Sequence, residues 1–96
     1  MDDEPEVKAV IAAVARYLLE NPRACDTAGG IRRWWLPPDA VRTTDTVGLA
    51  LDWMRLHELI DMTTAADGRQ RFSRRGDGEQ LEALLRAVAR SGIPRG

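Results

Sequence analysis

Thr44-Asp45-Thr46-Val47-Gly48-Leu49-Ala50-Leu51-Asp52-Trp53-Met54-Arg55-Leu56-His57-Glu58-Leu59-Ile60-Asp61-Met62-Thr63-Thr64 changes its hydrophobic period part-way along. Val47, Ala50, Leu51 and Met54 recur at i, i+3, i+4 and i+7, which is the spacing of one helix face. This predicts a helix opening at Thr43 or Thr44 and running to about His57, with the threonine as its cap. From Ile60 the period drops to two, because Ile60, Met62 and Thr64 alternate with polar neighbours. Ala66-Asp67-Gly68 then offers turn chemistry, a residue pair tolerant of positive φ. Arg69 to Arg74 resumes extended character around Phe72. A helix that feeds directly into a β-hairpin is the expectation.

Upstream, residues 4–20 read as a helix whose buried stripe is Val7, Val10, Ile11, Val14 and Leu18. Asp3 with Glu6 has capping-box spacing, Pro5 suits a first turn, and Asn21-Pro22 ends the segment. Asp26 or Thr27 caps a second, short helix to about Leu36, with Ala28, Ile31 and Trp35 inward and Arg32 and Arg33 outward. Gly29 and Gly30 each weaken it by about 1 kcal/mol, so aromatic packing must hold it until Pro37-Pro38 stops it. Downstream, Asp77 opens a fourth helix, with Gln80 completing a capping box and Leu81, Leu84, Leu85 and Val88 as its stripe. Ser91-Gly92 closes that helix, with Pro94 beyond. There is no internal repeat, low-complexity tract or interdomain linker, so residues 1–96 form one domain, its acidic cap 1–4 and tail 93–96 expected to fray.

Composition narrows the class. With 96 residues, 44% hydrophobic and 30% charged, the chain is an ordinary globular one able to build a single core. Cys25 is the only cysteine, which excludes an internal disulfide and paired-thiolate zinc, and fits a reducing, cytoplasmic setting. Acids at positions 2, 3, 4 and 6 stand where a signal peptide needs positive charge, and no apolar run is long enough for a membrane span. The net charge of -1 hides alternation: 1–20 and 45–61 are acidic, whereas 21–44, 62–78 and 79–96 are basic. A chain with this balance lacks the overall positive field of an avid nucleic-acid binder.

Helix, short helix, turn, third helix, β-hairpin and closing helix is an element order that resembles the winged helix-turn-helix domain. The resemblance covers nearly the whole chain and rests most on Leu49 to Ile60 with Asp67-Gly68-Arg69, which looks like the end of a bacterial recognition helix turning into its wing. Gly30-Ile31-Arg32-Arg33-Trp34-Trp35-Leu36 is also similar to a Gly-Ile-x-x-Trp-Trp-Leu run in small uncharacterised bacterial winged-helix proteins. The resemblance implies an α+β fold: a three-helix core, a β-hairpin wing and a C-terminal fourth helix. Such a scaffold constrains fold far more than function.

Catalytic chemistry has few groups to work with. One His, one Cys and one Tyr, with no glycine-rich phosphate loop, nucleophile elbow or metal-ligand cluster, lead us to expect a non-enzyme without cofactor, metal or small-molecule substrate. Cys25 and His57 could form a dyad, against the plainer reading of a small buried Cys and a helix-ending His. For nucleic acid the candidates are Arg32, Arg33, Arg42, Arg55, Arg69, Arg71, Arg74 and Arg75, weighed against solvated arginines on turns and edges. Asp45, Asp52, Glu58 and Asp61 oppose phosphate approach to the third helix. That helix carries a second apolar stripe, Leu49, Trp53 and Leu56, beside a narrow polar wedge of Gly48, Asp52 and Arg55. Three readings fit it: a protein interface or self-association, burial under the wing and fourth helix, or aromatic contact with nucleic acid. Trp34, next to inward Trp35, either seals the core margin or anchors an interface.

The expected function is a non-enzymatic adaptor or regulatory module working through protein contacts or as a homodimer, through the fourth helix or the Leu49/Trp53/Leu56 stripe. The alternative is a sequence-specific DNA-binding transcriptional regulator using the third helix and the arginine-bearing wing. No membrane partner is expected.

Overall fold

The apolar stripe read from residues 4–20 does become a helix, α1 (Glu4–Glu20), and its Val10, Val14, Ala15 and Leu18 are almost fully buried. The structure, a computed structural model, describes residues 4–36 and 44–91. After α1 come strand β1 (Cys25–Thr27), a single helical turn α2 (Ala28–Gly30) and a π-helical stretch (Ile31–Trp35) that continues it. Helix α3 (Thr44–Leu56), strands β2 (Ile60–Thr64) and β3 (Gln70–Arg74), and helix α4 (Glu79–Ser91) complete the mixed α+β fold. The Asp3–Glu6 pair, Pro37-Pro38, Arg42, the Thr43 cap, the Gly92 cap, Pro94 and the tail 93–96 lie outside the described residues, as does the Val88 side chain. Among the described residues no helix is long and apolar enough to cross a membrane.

The three strands form one antiparallel sheet in the order β1-β3-β2. The hairpin pairs Ile60 with Arg74, Met62 with Phe72 and Thr64 with Gln70, so Ile60 and Phe72 enter the core from the same face. Its turn falls at Ala66-Asp67-Gly68, where the sequence offers turn chemistry. The Gly68 N–H donates to the Ala65 carbonyl at 2.9 Å, and the Asp67 carboxylate accepts from the Arg69 N–H at 3.0 Å. Within this loop Gly68 alone has positive φ, +86°, so the hairpin closes with a common turn followed by a left-handed glycine.

Strand β1 is the element that periodicity could not supply. Cys25, Asp26 and Thr27 pair with Ser73, Phe72 and Arg71. Three mostly polar residues carry no alternation to read, and the strand exists because β3 offers its second edge. The second helix is also corrected: it is α-helical only over Ala28–Gly30 and widens into the π-helical stretch, where Ile31 and Trp35 are both buried. Leu36 then turns extended and is itself buried. Thr27, not Asp26, is the cap, its hydroxyl accepting from the Gly30 N–H at 3.2 Å. Asp26 instead accepts from the Thr27 N–H at 2.8 Å and lays its carboxylate against the Gly30 Cα.

Helix α3 ends in a left-handed turn. The Leu59 N–H reaches back to the Met54 carbonyl at 2.9 Å and the Glu58 N–H to Arg55 at 3.0 Å, with Glu58 at φ 60°. This is the six-to-one and five-to-two pattern that closes helices, and the residues at its two ends, Met54 and Leu59, are both buried in the core cluster. Helix α4 starts one residue later than the Asp77 cap reading. The Gly78 carbonyl accepts its first bond, from Glu82, while Asp77 accepts from the Glu79 N–H. Leu81 is buried and Leu84 and Leu85 are half-buried.

Two tests follow from these local geometries. A Cβ at Gly30 would run into the Asp26 carboxyl group, whereas one at Gly29 would meet only the Thr27 hydroxyl at 3.9 Å. Chemical denaturation should therefore give opposite signs: Gly29→Ala stabilises by up to about 1 kcal/mol, and Gly30→Ala destabilises by about 1 kcal/mol or more. Equal stabilisation by both would show that Asp26 does not fill the space. At Glu58, replacement by glycine should raise stability by roughly 0.5–1 kcal/mol through relief of the left-handed backbone, and Glu58→Val should lower it.

Candidate functional site

The outer face of α3 is the part of the molecule where chemistry and exposure coincide. Its inner face is used up: Val47, Ala50, Leu51 and Met54 are all at most 2% exposed, and Thr46 joins them. Successive residues turn by about 100°, so Asp45, Leu49, Asp52 and Leu56 line up on the opposite side. All four are exposed, Leu49 at 50% and Leu56 at 81%. Burial under the wing and α4 therefore does not account for the two leucines.

Trp53 is shared between core and surface. It is half-buried and packed against the core cluster, and its ring stacks on His57 with centroids 4.0 Å apart and planes at 26°. The stack is the i,i+4 pairing of a helix surface, and it widens the apolar edge toward the end of α3. For His57 the sequence offers a dyad with Cys25 or a plain helix end; the stack on the tryptophan four residues before it is a third role, and the i,i+4 spacing is its signal. Arg55 stands on the other flank, 4.0 Å from Asp52, with side chains 44% and 71% exposed. A contact that long and that wet stabilises by well under about 1 kcal/mol.

Among the described residues, the arginines named for nucleic acid stand on several different elements. Arg33 is exposed and Arg32 half-buried on the π-helical stretch, and Arg42 is outside the described residues. Along β3, Arg71 and Arg74 alternate onto opposite faces, and Arg74 reaches over Gly78 at the start of α4. Arg69 lies 3.8 Å from Asp67 and Arg75 3.7 Å from Asp61, so the charges at the tip and the base of the hairpin each have an acid beside them.

Trp34 and Trp35 separate as adjacent helical residues do. Trp35 is 6% exposed and stacks on Tyr17, with centroids 4.7 Å apart and planes at 11°, while Trp34 is 69% exposed. Beside them runs a shallow groove along Ala13, Arg16, Tyr17 and Glu20 of α1. Cys25 is exposed on β1 and not buried as expected, and the ring found against His57 is that of Trp53. Among the described residues no group of three or more His, Cys, Asp or Glu is placed to hold a metal ion.

These exposures separate two kinds of substitution in urea titrations. Leu56→Ser should change stability by no more than about 0.5 kcal/mol, because the side chain is already in water. Trp53→Ala should cost roughly 1–3 kcal/mol, below the 3–5 kcal/mol of a fully buried tryptophan and above a surface change. A loss at Trp53 as small as that at Leu56 would remove it from the core altogether. No protein-family model, curated protein or solved structure matches this chain.

Proposed function

We propose that the chain is a winged-helix adaptor or regulatory module whose outer α3 face is the contact surface for another protein. The single observation that carries this reading is the exposed leucine pair, Leu49 at 50% and Leu56 at 81%, two turns apart on one side of the helix and flanked by Trp53. Leaving large apolar side chains in water on one helix face is unfavourable unless a partner covers them. Tryptophan at the edge of such a patch is a common binding anchor. The winged-helix part of the reading draws support from the chain order, helix, strand, short helix, helix and hairpin, and from β1 closing the sheet against the wing's second strand.

The same scaffold often serves DNA, but the charges here favour protein. A duplex approaching α3 would meet Asp45 and Asp52 in the middle of the contact, and the exposed arginines at 55, 69 and 75 each have a carboxylate within 4.0 Å.

A photo-reactive residue at position 56 should form covalent protein adducts in the native cells, while one at exposed Ala83 of α4 should form far fewer. Equal labelling from both positions would remove α3 as the contact face. Random duplex DNA should bind with a dissociation constant of about 10 μM or weaker near physiological salt. Sub-micromolar affinity with a salt slope of roughly six neutralised phosphates would make the DNA reading primary.

A further inference from the structure

We infer that the partner element received by α3 is a basic amphipathic helix, one with an apolar stripe flanked by lysine or arginine; this rests on the protein-contact reading above. Asp45, Leu49, Asp52 and Leu56 are spaced by four, three and four residues, the spacing of a seam along which a second helix lies. All four are exposed, so the seam is an alternation of acid and leucine and not a plain hydrophobic strip. Asp52 has a side chain 71% exposed and only a long, solvated contact to Arg55 at 4.0 Å, so its carboxylate stays open to solvent and to an incoming cation. Past the helix end, exposed Glu58 continues the acidic character.

Charge selects among the possible occupants. A neutral apolar helix would cover the leucines but strip water from Asp52 without supplying a partner, which is costly. A second copy of this chain, paired antiparallel so that each Leu49 meets the other Leu56, brings the two Asp52 carboxylates together at the symmetry axis. Nucleic acid meets the same acids with its phosphates. A helix carrying cations beside its apolar stripe satisfies both halves of the seam.

The test uses a synthetic helical peptide of leucine and lysine, roughly four turns long. Its controls are a scrambled peptide of the same composition and a leucine/glutamate analogue. Each is titrated into the full chain and followed by backbone amide shifts. The amphipathic leucine/lysine peptide should shift residues 45–58 and bind about tenfold or more tightly than the scrambled one, with no binding by the glutamate analogue. Asp45→Lys with Asp52→Lys should reduce that affinity roughly tenfold and admit the glutamate analogue, and Asp45→Asn with Asp52→Asn should give a smaller loss. Thermal melts matched to wild type confirm that these exposed substitutions leave the fold in place. If charge reversal changes nothing while Leu49→Ser and Leu56→Ser abolish binding, the basic partner is wrong and the protein-contact reading survives. If the leucine variants change nothing, both fall. Sedimentation showing a wild-type dimer that Leu56→Ser dissociates would give the seam to a second copy and overturn the inference.

Discussion

Everything in this fold leans on the buried stripe of α1. Val10, Val14 and Leu18, each at most 1% exposed, lie against α3, α4 and the π-helical stretch, elements separated by tens of residues in the chain. A small domain has room for one such axis, because its surface-to-volume ratio leaves few positions that water cannot reach. Once α1 occupies the centre, each other helix can bury only one side. For α4 that suffices, since its far side is polar. For α3 it does not, since its far side also carries leucine, and the exposed ridge is a direct result of how the core is shared out.

The ridge is held firmly. Two backbone bonds from residues 58 and 59 close the C-terminus of α3, and the Arg75 N–H donates to the Leu59 carbonyl at 3.2 Å. The helix is thereby tied to both strands of the hairpin at the point where it ends. These backbone bonds fix the direction in which the helix end, and the ridge upon it, leave the sheet.

Much of the architecture could be read from residue spacing, for reasons that are visible in particular elements. Helices α1 and α3 have stripes long enough for the 3.6-residue period to dominate, and the switch at Ile60 marks a strand because alternation starts four residues after the end of α3. β1 was not legible, since Cys25-Asp26-Thr27 becomes extended only by pairing with Phe72 and its neighbours far along the chain. The π-helical widening at Ile31–Trp35 was equally hidden, for nothing in a helix-compatible run of residues distinguishes one hydrogen-bond step from the next. Glu58 in a left-handed turn runs against its own backbone preference, and only the tertiary burial of Leu59 and Met54 explains it. On the candidate surface, the second stripe of α3 was readable from a helical wheel. The Trp53–His57 stack needed coordinates, because an i,i+4 spacing permits contact without requiring it.

The strand order has a further consequence for the behaviour of the chain at high concentration. With β3 in the centre, β1 and β2 are both edges, and β2 presents five residues of backbone on its outer side. Edges of this kind template pairing between molecules and, in the limit, fibrous aggregation. Here β1 is too short to nucleate an added strand, and β2 carries an exposed aspartate, Asp61, followed by two exposed threonines at its end. A strand joining that edge would have to accept a carboxylate beside its own backbone, so the acid that sits against Arg75 also acts as a guard against self-assembly through the sheet.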